Sequence, residues 1–192
     1  MHLNSRLIVF SFLPISMILG NLMINLNIII LSILLIAKSF NKKDWKWCEE
    51  KNFKLLIIFY LYLVFNSLFN LYHDSSLGYD GIIRSLGFIK FVFLAYAFKV
   101  LIKDNKELDR IIFNWLLIVL IVIFDIFFEK IFGHNIFGFK SLDGTRIISF
   151  FYDESIAGGF VLCFGFIISS YFFTSEKNIK KIFFNIFKSI IE

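Results

Sequence analysis

The sequence predicts an all-α fold, a polytopic membrane helix bundle of about six transmembrane helices. Three observations predict it. The mean hydropathy is +0.78 and 58% of the residues are hydrophobic, both above the range of ordinary soluble domains. Charged residues make up 18%. They are clustered, so the intervening apolar runs reach the ~18 residues or more that are read as bilayer spans. The whole chain, 1–192, reads as a single transmembrane domain with no room for an independent soluble catalytic domain.

From Leu7 to Ala37 no residue is charged. At about 1.5 Å per residue this stretch is too long for one upright span and short for two. Pro14 and the pair Gly20-Asn21 interrupt it, which predicts a hairpin of two short helices over 7–20 and 22–37. A signal peptide is the rival reading, because Arg6 precedes an apolar core. No small-residue cleavage site follows, however, and the apolar character continues. The later spans fall at 54–72, 82–102, 110–128 and 155–174. The stretch 179–191, apolar with Lys180, Lys181 and Lys188 interspersed, is either an interfacial helix or the start of another span.

The basic residues set the orientation. One group of connectors holds Arg6; Lys38, Lys42, Lys43, Lys46, Lys51 and Lys54; Lys99, Lys103, Lys106 and Arg110; and Lys177, Lys180, Lys181 and Lys188. The opposite group has only Arg84, Lys130, Lys140 and Arg146. The positive-inside rule puts the rich group and both termini in the cytoplasm, with 73–82 and 129–154 outside. This distribution also accounts for the net charge of +5 without a nucleic-acid partner, and implies contact with membrane lipid. Trp45 and Trp47 among lysines suit an interface anchor, with an acidic headgroup or partner as the other reading of that loop.

Other residue types exclude more than they identify. Cys48 sits in a Lys-rich loop and Cys163 in an apolar run, at different depths, so no disulfide framework or metal spacing arises. The 28 Phe, with abundant Ile, Asn and Lys, have the look of AT-rich coding. Aromatic stripes are therefore read as lipid-facing or packing surface. His73 and His134 lack a second ligand at metal spacing and read as hydrated loop residues.

The longest outward segment, EKIFGHNIFGFKSLDGTRIISFFYDESIAGGF, joins glycines, polar turn residues and both charge signs beside membrane spans. Loops carried on a rigid scaffold are where function concentrates. Its run GTRIISFFYDESIAGGF resembles the segment opening a central helix in the O-antigen ligase and O-antigen polymerase family of membrane glycosyltransferases. There an Arg precedes a Ser-Gly-Phe-Phe-like run and an Asp-Glu pair. Here Ser149, Phe150 and Phe151 occupy that run and the usual glycine is absent. DIFFEKIFGHNIFGF upstream, RSLGFIKF at the fourth span and LPISMILGNLMINLNIII near the start are similar to the family as well.

The resemblance implies transfer of glycan from an undecaprenyl-diphosphate donor, on the outer face of the bacterial inner membrane, to a lipid-linked sugar or a lipid A core. It implies no nucleotide sugar, cofactor or metal. It also implies a longer relative, with about twice as many spans and a second large loop holding a catalytic histidine. Against that pattern the chain reads as truncated, an amino-terminal part in which no catalytic base can be named.

Within this frame Arg146 is the first choice to bind the diphosphate, because guanidinium stays charged and offers two parallel hydrogen bonds. Arg84 and Lys90 come next. Six residues place Lys90 about 9 Å deeper than Arg84 and about 120° away in azimuth. Lys90 has two readings: diphosphate binding, or structural pairing with Asp125 or Glu129. Asp153 and Glu154 are supporting carboxylates, read as capping the sixth span or pairing with Arg146, with catalysis or metal binding as the other role. Asp125 and Glu129, four apart, share a helix face, a common arrangement. The alternative for the whole chain is a non-enzymatic membrane protein such as a transporter or exporter subunit. A transporter would carry internal repeats with matching broken helices, and no convincing repeat is found.

Overall fold

The first charge-free stretch does not form one rod. In the computed structural model, which describes residues 5–73, 75–140, 147–151 and 156–174, α1 (Ser5–Ser11) and α2 (Leu13–Ile18) are separated by a turn at Phe12. Pro14 explains the break: it has no N–H to donate to the carbonyl four residues back, and its ring crowds that carbonyl. Beyond α2, Gly20 donates its N–H to the Met17 carbonyl at 3.2 Å. Its φ of +98° lies in the left-handed region that favours glycine. α3 (Asn21–Lys42) begins on the next residue. The first arm of the expected hairpin is thus two short pieces, and the second runs past Ala37 to Lys42.

The described chain divides into two compact units. One comprises residues up to Leu13 together with Asn21–Leu108; the other comprises Pro14–Gly20 and the chain from Asp109. In the first unit, Arg6 of α1 lines the same pocket as Lys38 and Lys42 at the end of α3, so these helices run antiparallel. α3 closes with Lys43 at φ +50°. Lys43 N–H donates to Phe40 O at 3.2 Å and Asp44 N–H to Ser39 O at 3.1 Å, a paired closure that satisfies terminal carbonyls. A single turn, α4 (Lys46–Glu49), then carries Trp47 inward. The Trp47 indole donates to Ser39 Oγ at 2.9 Å and packs on Phe53 and Tyr96. Trp47 is therefore part of the core; of the expected pair of interface tryptophans, only Trp45 is exposed.

α5 (Lys51–His73) and α6 (Ser75–Gly87) approach closely where Gly81 meets Ser67. A Cβ on that glycine would lie 4.0 Å from the serine oxygen. α6 continues into α7 (Ile89–Leu101) through Phe88. Bonds from Phe88 N–H to Ser85 O and from Phe91 N–H to Phe88 O tighten the joint into a 3₁₀ turn. In the second unit, α8 (Asn105–Phe132, entering it at Asp109) and α9 (Ala157–Thr174) are antiparallel. The Tyr171 hydroxyl donates to Asp109, and Trp115 meets Phe164 edge to face at 5.2 Å.

Five stretches among the described residues are long and apolar enough to cross a membrane: Asn21–Lys42, Lys51–Leu71, Tyr79–Leu101, Asn105–Phe132 and Ala157–Thr174. With the short broken arm α1–α2 they account for the six expected segments. The stretch 179–191 lies outside the described residues. α5 bears most directly on the solvent. None of its spanning residues is buried, and its exposed side chains include Leu55, Ile58, Phe59, Leu61 and Phe65. A helix that leaves so many apolar side chains exposed is stable in hydrocarbon, not in water.

Candidate functional site

α8 is the longest helix described, and its only buried charges come near its end. Asp125 is fully buried and Glu129 is 6% exposed. One helical turn apart, they face the same side, and what they meet is the returning chain. Asp125 accepts the Ile136 N–H at 2.8 Å through Oδ1 and the Ser149 hydroxyl at 2.7 Å through Oδ2. Glu129 accepts the Ile148 N–H at 3.1 Å through Oε1 and the Ser149 N–H at 2.6 Å through Oε2. Bonds of this kind, to carboxylate oxygens, contribute about 1.5–3 kcal/mol each when buried.

The turn residues make this convergence possible. Gly133, at φ +73°, ends α8 and donates to the Glu129 carbonyl at 2.8 Å. Asn135, fully buried, closes a tight loop: its N–H donates to Phe139 O at 2.9 Å and its Oδ1 accepts the Phe139 N–H at 2.8 Å. Gly138, at φ +85°, completes that loop by donating to Asn135 O at 2.9 Å. The Asn135 amide then reaches across to Ser149 O at 2.6 Å. His134 bonds the adjacent Asn135 carbonyl through Nδ1 at 2.9 Å and packs against Phe128, a half-buried turn residue.

Ser149 is the centre of the arrangement. Its N–H, hydroxyl and carbonyl are all engaged, by Glu129, Asp125 and Asn135 respectively. Its φ is +51°, a conformation that costs a residue with a Cβ roughly 1–2 kcal/mol. The buried carboxylates offset that strain and fix the backbone of 148–149. Phe151, two residues on, packs on Phe160 of α9 at 5.2 Å between ring centroids.

The residues named from sequence are distributed as follows. Arg84 is exposed in the last turn of α6. Lys90 turns inward and donates to Asn25 Oδ1, in the first turns of α3, at 2.5 Å. Its observed partner is thus Asn25, while Asp125 and Glu129 are taken up by the loop. Arg146, Asp153 and Glu154 lie outside the described residues. Sequence reasoning passed over Asp125, Glu129, Asn135 and Ser149 as a set. The available signal was a pair of acids in a 28-residue helix, since intramembrane charges need a partner. Among the described residues, no three of His, Cys, Asp and Glu converge as metal ligands would.

These elements define a polytopic α-helical membrane protein whose second unit carries a loop anchored on buried carboxylates. No family model, curated protein or solved structure matches the chain.

Proposed function

We propose that the chain acts on undecaprenyl-diphosphate-linked glycan at the outer face of the bacterial inner membrane, transferring it to a lipid-linked sugar or lipid A core, or polymerising it. The observation that carries this reading is the pinning of Ser149 by Asp125 and Glu129. The anchor falls inside the run that resembles the ligase and polymerase family, three residues after Arg146. A diphosphate leaving group needs a cation held at a fixed place, because stabilisation of developing charge depends on preorganisation. The anchored backbone of 148–149 follows Arg146 by two residues in the sequence, and this proximity along the chain is what supports the reading. In this reading the lysine-rich ends of the helices and both termini face the cytoplasm.

Deletion of the coding gene tests the reading. Loss of surface polymer with accumulation of undecaprenyl-diphosphate glycan supports it. Unchanged surface glycan, with altered passage of a solute instead, overturns it and favours a transporter. Residue-level evidence comes from Arg146→Lys and Arg146→Ala in the full chain. Normal protein level with lost transfer in both supports a two-pronged phosphate contact. Normal transfer by Arg146→Lys sinks that assignment.

A further inference from the structure

One end of the first unit gathers cations from three separate parts of the chain. Arg6 of α1, Lys38 and Lys42 of α3, and Lys103 after α7 line a pocket of about 350 Å³ whose wall includes Leu34 and Leu101. Among the described residues no carboxylate lines it. Part of this charge serves the fold. Arg6 donates to Leu101 O at 3.0 Å and to Glu107 at 2.9 Å, and Lys38 donates to Val100 O. Cations at these carbonyl ends suit the helix dipole. The second Glu107 oxygen accepts the Lys103 N–H at 2.9 Å, so both oxygens of this acid are engaged. Lys42 and Lys103 are exposed at the mouth.

Four cations against the one carboxylate paired with Arg6 leave a net positive site, and its leucine wall lies at the end of the spanning helices. We propose that this pocket binds a phosphate group, and that the group is carried on an anionic lipid whose chain lies against the apolar wall. Arg6 and Lys38 are already fixed by their carbonyl contacts, so the anion orders chiefly Lys42 and Lys103. This inference does not rest on the glycan-transfer reading.

The test uses the full chain in nanodiscs of phosphatidylcholine with and without phosphatidylglycerol, with lipid retention read by native mass spectrometry. The wild type should retain phosphatidylglycerol preferentially. Lys42→Gln with Lys103→Gln should lower that preference about 25-fold, since each basic residue near the surface contributes roughly 5-fold, or about 1 kcal/mol. Lys51→Gln with Lys54→Gln removes the same charge outside the pocket and should lower the preference clearly less than the pocket pair does. Equal losses in the two double variants would overturn the site in favour of diffuse surface attraction. Inorganic phosphate should not stabilise the chain in pure phosphatidylcholine discs. If it does so as well as phosphatidylglycerol, the lipid assignment is wrong.

Discussion

Asp125 and Ser149 stand 24 residues apart in the chain and are joined by a buried hydrogen bond of 2.7 Å. Ser149→Ala breaks this bond, leaves a carboxylate oxygen short of a donor and keeps the Cβ that strains the backbone. A loss of about 1–3 kcal/mol is expected. Ser149→Gly loses the same bond but relaxes the left-handed backbone, so it should melt at a higher temperature than the alanine variant. Thermal unfolding in detergent compares them. An alanine variant as stable as wild type would show that the hydroxyl bond contributes nothing.

Glu129→Gln is the complementary change. An amide presents one acceptor oxygen and one donor group to two backbone N–H groups, at 3.1 and 2.6 Å in the native chain. At least one charge-assisted bond is lost, about 1.5–3 kcal/mol. The backbone at Ile148–Ser149 should then leave Glu129 more often, so trypsin should cut at exposed Lys140 several-fold faster. Unchanged cleavage would mean that Glu129 does not restrain the loop.

Lys90 and Asn25 offer a double-mutant cycle. A cation in a spanning segment needs a polar partner, and Asn25 provides one at 2.5 Å. Lys90→Leu and Asn25→Leu should show a coupling of about 1 kcal/mol in unfolding free energy. Strict additivity would make their contact incidental.

Cys48 lies in the connector between the α3 and α5 spans, half-buried and next to Glu49. Burial, and after it the Glu49 carboxylate, push the thiol above its ordinary value. The reactive thiolate is therefore scarcer near neutral pH than in a free thiol. On a Cys163→Ser background, alkylation should run slower than that of glutathione and reach its plateau at higher pH. Glu49→Gln should shift the profile back toward lower pH. A profile that overlays glutathione would rule this out.

The orientation is tested with cysteines introduced at positions 45, 103 and 136, with Cys48 and Cys163 replaced by serine. Positions 45 and 103 should label from the cytoplasm and 136 from outside. Labelling of 136 from the cytoplasm alone would invert the chain and remove the outer-face chemistry.

The spans were readable because lipid imposes one rule, apolar helix long enough to cross, and the five stretches Asn21–Lys42, Lys51–Leu71, Tyr79–Leu101, Asn105–Phe132 and Ala157–Thr174 obey it. Pro14 and Gly20 were readable as interruptions, since each acts through its own backbone chemistry. The inward turn of Trp47 was not. Trp among lysines is the same composition whether the indole meets a headgroup or Ser39, and only the fold of α3 and α4 decides. The carboxylate anchor was hidden for a related reason. Asp125 and Glu129 look like any i, i+4 pair until the Gly133 turn, the Asn135 loop and the positive φ of Ser149 bring their donors back. That convergence depends on three tight turns at once, and no local pattern reports it.

The anchor also sets an order of events during synthesis. Asp125 and Glu129 enter the membrane with α8, yet the serine that satisfies both is translated 24 residues after the first of them. At about 5–20 residues per second the two acids wait for roughly one to five seconds without their final partners. Asp125, inside the expected 110–128 span, is disfavoured by up to about 2.5–3.5 kcal/mol in hydrocarbon. The most apolar 18-residue window of α8 has a hydropathy of 2.8, the highest such window of the five spans, and so carries the apolar surplus to stay inserted through that interval. A ribosome stalled between these positions would hold the helix at its least settled stage, and substitutions that dilute the apolar face of α8 would act first on insertion of the chain and only later on the finished fold.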